Sequence, residues 1–338
     1  MAFPRRGPEG ESAAASLTPM RSFPSVEIDR ALDFPSLIDA LKEAMRGGFI
    51  APQRHHHEIE RAGEPPATQL LMPAWTESSS PAGLYLGAKL VNVFPGNSAR
   101  GLPAVSGLYV LQSGRTGETL AALDGTRLTQ WRTAAASALA ARFLVPKDAK
   151  TLLIVGAGAM APFLARAHAS VRTFQSIVVW NRRTEGAERV AAALRADGLP
   201  AETLKDLRGG VADADVISCA TLSTVPVISG DWLRPGQHLD LVGAFNMRMR
   251  EVDDAALRRS RIFIDTEAAC VEGGDVALGL ASGAITRSEI VTDLGRLCRG
   301  AEGRRSADDI TLFKSVGASI EDLAAAMLVW RKSGGAEP

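Results

Sequence analysis

The chain has 338 residues, and its 38 Lys and Arg balance 38 Asp and Glu. Zero formal net charge removes the electrostatic reason to expect nucleic acid or an anionic membrane surface as partner, and no apolar run approaches the roughly 20 residues of a membrane span. With 46% apolar residues the composition is that of a soluble metabolic protein long enough for two domains.

The stretch over 1–22 is rich in Pro, Gly, Ser, Ala and Glu and carries Arg5 and Arg6 with no hydrophobic region after them. It reads as a disordered extension and not as a secretory signal. Cys219, Cys270 and Cys298 lie far apart and form no CxxC pair, which suits free buried thiols in the reducing cytoplasm.

Over 33–45, Phe34, Leu37, Ile38, Leu41 and Met45 recur at helical spacing until Gly47 and Gly48 stop the pattern. Strand-like segments follow at 69–72, 83–93 and 108–112 between Pro and Gly turns, predicting a mostly antiparallel sheet. The alanine-rich run over 129–144 favours a connecting helix. Beyond it, apolar strands at 152–155, 177–180, 216–220, 238–242 and 262–265 alternate with helical stretches. That rhythm predicts an α/β fold with a Rossmann-type doubly wound parallel sheet. A last helical pattern runs over 310–330 through Ile320, Leu323, Ala326, Met327 and Trp330.

The sharpest motif spans 151–183. Gly156, Ala157, Gly158, Ala159, Met160 and Ala161 fit GxGxxG/A directly after the apolar strand LLIV and directly before a helix. Gly156 permits the tight turn, Gly158 lets backbone approach a pyrophosphate, and Ala161 keeps the helix close to the sheet. Pro162 is tolerated in the first helical turn. The plain alternative is a glycine turn that binds nothing. The second strand then ends on Asn181, Arg182 and Arg183, where an NAD-preferring protein usually carries an acid. Two guanidinium groups can pair with a 2′-phosphate, so NADPH is expected over NADH. Against this stands the reading of two solvated arginines at a loop start.

Arg54 stands before the histidine run, Lys89 in GAKLVNVFPGN, and Arg132 at the beginning of the alanine-rich helix. Spacing alone cannot bring the three together, and an isolated cation is most often a solvated surface charge. His55, His56 and His57 alternate faces on an extended segment and cannot easily share one ion. No metal is expected there, and His56 or a neighbour would orient the substrate. His168 and His238 are expected to be structural.

The blocks LLMPAW, GAKLVNVFPGN, GLPAVSG, DGTRLTQWRTAAASALAA, VGAGAMAP, VVWNRR, ADVISCAT, LVGAFNMRMREVDD and LFKSVGASIEDLAAA follow in order along the chain. Over about 33–330 the sequence resembles the ornithine cyclodeaminase/mu-crystallin family. The resemblance implies a substrate-binding and dimerisation domain of α+β type over 23–130 and 311–338, into which an NADPH-binding domain over 131–310 is inserted. It further implies a homodimer, and a pocket in which Arg54, Lys89 and Arg132 hold the carboxylate of an amino-acid-like molecule. Ala159 and Met160 would meet the pyrophosphate, Thr221 would lie under the nucleotide, and Phe245 and Ser315 would border the nicotinamide.

One departure separates branches of the family. Cyclodeaminases continue the Val-Gly-Ala block into an aspartate used in deamination, whereas Val242, Gly243 and Ala244 here precede Phe245. An apolar ring exchanges no proton. The segment instead resembles the branch that reduces Δ1-pyrroline-2-carboxylate and Δ1-piperideine-2-carboxylate, although Asn246, Met247 and Arg248 replace a stretch expected to hold Pro and Asp. The expectation is NADPH-dependent reduction of a cyclic imino acid, with Lys89 as proton donor or as electrostatic partner of the carboxylate. Cyclodeamination with bound NAD, or sequestration of NADPH and a small ligand as in mu-crystallin-like members, are the alternatives.

Overall fold

The computed structural model describes residues 20–338. The predicted extension thus lies outside the described residues except at its end, where Arg21–Phe23 form strand β1. Helix α1 (Ser25–Ala31) leads to α2 (Phe34–Arg46), which Asp33 caps by accepting the Ser36 N–H at 2.8 Å. The residues predicted to form the apolar face of α2 are buried. Six strands follow: β2 (Phe49–Ile50), β3 (His55–Ile59), β4 (Ala67–Thr76), β5 (Tyr85–Val93), β6 (Val105–Ser113) and β7 (Thr119–Asp124). They form an antiparallel sheet in the order β1-β7-β6-β5-β4-β2, with β3 also on β4 and only β1 parallel to its neighbour.

Helix α3 (Gly125–Leu144) starts four residues earlier than its alanine content suggests, because Asp124 accepts the N–H groups of Thr126 and Arg127. Arg132 therefore sits two turns inside the helix, not at its start. It is out of reach of the terminal dipole, and side chains set its environment instead.

The second sheet is parallel throughout. Its strands and helices run β8 (Thr151–Val155), α4 (Ala161–Val171), β9 (Ser176–Trp180), α5 (Thr184–Ala196), β10 (Ala201–Leu204), α6 (Leu207–Asp213), β11 (Val216–Cys219) and β12 (His238–Leu241). After these come α7 (Asp254–Arg259), β13 (Arg261–Ile264), α8 (Gly274–Ser282), β14 (Ile290–Asp293), α9 (Leu294–Cys298) and β15 (Thr311–Lys314). Strand order is β10-β9-β8-β11-β12-β15-β13-β14, so the direction of winding reverses between β8 and β11. The strands are buried on both faces, as their near-continuous apolar sequences require.

Strand β15 corrects the boundary placed at 311. Thr311–Lys314 lies between β12 and β13, bonded to both, because its TLFK run can be buried on both faces only inside this sheet. The chain returns to the first sheet after it, through α10 (Ser319–Lys332), which packs on α2, α3 and the inner face of β4, β5 and β6. His168 on α4 and His238 on β12 are buried: His168 Nε2 lies 3.0 Å from Asp240 Oδ2, and His238 Nδ1 lies 2.9 Å from Thr311 Oγ1. All three cysteines are free, but Cys270 is only half-buried, unlike the other two.

Candidate active site

At the reversal between β8 and β11, Gly156 has φ +108° and donates its N–H to the Trp180 carbonyl at 2.8 Å. A Cβ there would stand 2.7 Å from the Ala220 carbonyl oxygen, whereas Gly158 has open space around it. Met160 precedes α4, Pro162 falls in its first turn, and Ala161 is fully buried against the sheet. A turn that admits no side chain, beside an unobstructed glycine and an eleven-residue helix, fits the residues to a pyrophosphate. Asn181 turns inward and donates Nδ2 to the Arg183 carbonyl at 2.8 Å. Arg182 and Arg183 are exposed, and neither pairs with an acid among the described residues.

Two further loops face this crevice, and Glu251 joins them. Its Oε1 accepts the N–H and hydroxyl of Thr221 at 2.7 and 2.9 Å, and its Oε2 accepts the N–H groups of Gly243 and Ala244 at 2.8 and 3.3 Å. Asp275 accepts the Glu251 N–H at 2.7 Å and the Lys314 ammonium at 3.1 Å. Burial pushes the Glu251 carboxyl up to about 7 in spite of Lys314. Phe245 is partly exposed beyond this loop, and Ser315 is buried with its hydroxyl unpaired. The Ser315 N–H meets the Leu241 carbonyl at 3.1 Å, which sets the chain leaving β15 beside the loop after β12.

Lys89 and Arg132 come together under that chain. Lys89 Nζ donates to Asp322 Oδ1 at 2.8 Å and to Thr129 Oγ1 at 3.1 Å, with Asp322 Oδ2 at 2.7 Å. Arg132 Nε donates to the same Asp322 Oδ1 at 3.0 Å, and its Nη1 to Glu321 Oε2 at 2.8 Å. All four charged groups are buried. Burial and the adjacent Arg132 pull Lys89 down to about 8 although Asp322 opposes them, and burial pushes Glu321 up to about 7 against Arg132. Three acceptor oxygens within 3.1 Å face the three ammonium protons of Lys89, whereas the Nη2 of Arg132 has no partner among the described residues.

Gly317 links this cluster to Arg54. Its φ is +79°, and a Cβ on it would fall 2.2 Å from Arg132 Nη1, so only glycine leaves room for the guanidinium. Arg54 Nη2 donates to the Gly317 carbonyl at 3.0 Å, and Arg54 Nε lies 3.1 Å from Glu272 Oε2. The loop is held from below by Asp265, which accepts the N–H groups of Val316 and Gly317 at 2.7 and 2.6 Å. Arg54, Met72, Cys270, Glu272 and Gly317 line a cavity of about 670 Å³. The histidine run forms β3. His55 and His57 share one face with ring centres 6.4 Å apart, and His56 Nε2 on the other lies 3.9 Å from Glu272 Oε1.

The structure therefore brings Lys89 and Arg132 together on Asp322, sets Arg54 on the cavity side of Gly317 with Arg132 behind that glycine, and places the glycine turn, Thr221, Phe245 and Ser315 at the neighbouring crevice. Sequence reasoning did not single out Glu251, Asp265, Glu272, Glu321 and Asp322. A signal existed for the last two: adjacent acids interrupt the helix SIEDLAAAM on positions that are otherwise apolar, and a buried acid implies a cation facing it.

The family model of the ornithine cyclodeaminase/mu-crystallin family matches residues 20–336. Arabidopsis thaliana Protein SAR DEFICIENT 4 is 39% identical over 92% of this chain and 95% of its own length. The Δ1-pyrroline-2-carboxylate reductase of Paracoccus denitrificans is 40% identical over 87% of this chain and 92% of its own. Among solved structures, Thermococcus litoralis Δ1-pyrroline-2-carboxylate reductase in complex with NADH and L-proline superposes with a TM-score of 0.86 at 30% identity, covering 93% of this chain and 97% of that one.

Proposed function

Because the chain belongs to the ornithine cyclodeaminase/mu-crystallin family, we propose that this oxidoreductase of CH–NH bonds uses NADPH to reduce a cyclic ketimine acid. Its substrate is Δ1-pyrroline-2-carboxylate, Δ1-piperideine-2-carboxylate or both, and its product L-proline or L-pipecolate. The observation that carries the reading is Arg54 and Arg132 meeting at Gly317, with Lys89 joined to Arg132 through Asp322, next to a dinucleotide crevice and with Phe245 in place of the cyclodeaminase aspartate. The similarity to two Δ1-pyrroline-2-carboxylate reductases supports the same substrate class.

Reduced nicotinamide, when bound, supplies hydride for the imine carbon. Arg54 and Arg132 hold the substrate carboxylate through their guanidinium N–H groups, which fixes the face of the ring. Lys89, at about 8, is charged at neutral pH and can pair with the carboxylate or release a proton toward the imine nitrogen. Gly156, Gly158, Ala159 and Met160 hold the pyrophosphate, Asn181, Arg182 and Arg183 the 2′-phosphate side, and Thr221, Phe245 and Ser315 the nicotinamide side. Exposed Ile59, Leu102, Val105 and Leu108 around the antiparallel sheet support a homodimer. Among the described residues no helix is long and apolar enough to cross a membrane.

Purified protein with NADPH and each imino acid, followed by nicotinamide absorbance, tests the reading. Turnover of at least one is expected. No turnover with either, or ammonia release from ornithine without cofactor consumption, overturns it.

A further inference from the structure

We infer that Asp322 is a positioning residue of the carboxylate site: from helix α10 it holds Lys89 and Arg132 side by side as cations, with the Nη2 donor of Arg132 left for the substrate. The inference rests on the imine-reductase reading and concerns the same site.

The geometry makes Asp322 the group that both cations share. Its Oδ1 receives Lys89 Nζ at 2.8 Å and Arg132 Nε at 3.0 Å, while Glu321 reaches Arg132 alone. Two positive charges buried together repel, and a guanidinium does not give up its proton. The repulsion therefore falls on Lys89, whose amine can. The other groups facing it add little to offset this. Thr129, from α3, is neutral. Tyr109, opposite Lys89 on β6, keeps its hydroxyl proton because burial and Asp322 push it well above the usual tyrosine range. Met72, opposite on β4, is apolar. Glu321 is itself pushed toward the neutral form, and Asp265 faces Glu321 as a further acid. Beside the Asp322 carboxylate Lys89 stays an ammonium, and the paired positive charge of Lys89 and Arg132, with the unpaired Nη2 of Arg132, attracts a carboxylate. Without that charge Lys89 becomes a neutral amine, which neither attracts a carboxylate nor carries a proton to give.

The test measures kcat and KM for Δ1-piperideine-2-carboxylate against pH in wild type, Asp322→Asn and Asp322→Glu, with NADPH binding by nicotinamide fluorescence as a check on folding. Asp322→Asn is expected to raise KM about ten-fold or more and to move the alkaline limb of kcat/KM to lower pH, with NADPH affinity within about two-fold of wild type. Asp322→Glu should recover part of both effects. An unchanged KM, or a raised KM with the alkaline limb in place, overturns the inference. If Asp322→Asn does not bind NADPH, the double variant with Lys89→Met decides, since removing both charges should raise the melting temperature above that of Asp322→Asn alone; no rise overturns the coupling. If wild type turns over no imino acid, the functional reading fails by itself. Calorimetric binding of L-proline to wild type and Asp322→Asn then decides the positioning role, which equal binding or no binding to wild type overturns.

Discussion

Asp322 and Lys89 are 233 residues apart in sequence, yet Asp322 Oδ1 accepts the Lys89 ammonium at 2.8 Å in a site closed to solvent. The helix carrying Asp322 reaches Lys89 because β15 is threaded into the middle of the parallel sheet, and its exit, through Ser315 and Gly317, aims the chain back at the antiparallel sheet. Cofactor crevice and cation cluster are thus two sides of one four-residue connection.

The carboxylate clamp is best tested at Arg54. Arg132→Ala would leave Glu321 without its cation in the core and Asp322 with Lys89 alone, which costs about 3 to 5 kcal/mol and confounds the reading. Arg54 faces the cavity, and its acid partner Glu272 keeps some access to water. Arg54→Ala is expected to raise KM for the imino acid by about 10- to 100-fold while NADPH binding is unchanged. Steady-state kinetics together with cofactor titration check this, and an unaltered KM excludes Arg54 from substrate binding.

Arg182 and Arg183 should set the choice of nicotinamide cofactor. Neither is tied to an acid among the described residues, so both are available to a 2′-phosphate. Replacing both by Ala is expected to lower the ratio of kcat/KM for NADPH over NADH by about ten-fold or more. The same ratio in variant and wild type would mean that the two arginines are solvated loop charges.

Gly156→Ala should damage both folding and cofactor binding. The left-handed backbone at φ +108° and the Ala220 carbonyl 2.7 Å from an added Cβ act together, and the expected loss is about 2 kcal/mol or more. Gly158→Ala meets no protein atom within 4 Å. It should therefore retain stability and lose cofactor affinity. Thermal melting and NADPH titration on the pair separate these effects.

Glu251 predicts a pH dependence with two signs. Ionised, it accepts four hydrogen bonds from the Thr221 and Gly243–Ala244 loops; protonation removes acceptor capacity, so NADPH affinity should weaken as pH falls through about 7. Lys314 resists that protonation, while Asp275 and burial favour it. Stability runs the other way. A folded-state value raised from 4.5 contributes stability that is present below 4.5 and lost as pH rises through about 7. Glu251→Gln should give weaker NADPH binding that no longer responds to pH near 7, and a flatter stability profile between 4.5 and 7. A cofactor affinity in this variant equal to wild type at pH 8 would refute the role.

The α2 face, the alternation of β8 to β13 with helices and the glycine turn were legible because each depends on residues a few positions apart. Helical or strand period, a φ that only glycine adopts readily and a capping acid are local properties. The limits of that legibility are equally local. The start of α3 was missed because Asp124 overrides alanine content, and β3 was missed because histidines carry little strand signal and β3 is held by its pairing with β4.

The sequence by itself determined the family, the doubly wound sheet, the dinucleotide turn and the residue types Arg54, Lys89 and Arg132. Only the tertiary structure decided that Arg132 sits inside its helix, that Lys314 and β15 belong to the parallel sheet, and that Glu321 and Asp322 pack against Arg132 and Lys89. The physical reason is that burying a cation has no local signature. Whether Lys89 is a solvated ammonium or a poised acid depends on which carboxylate packing brings to it, and here that carboxylate comes from the far end of the chain.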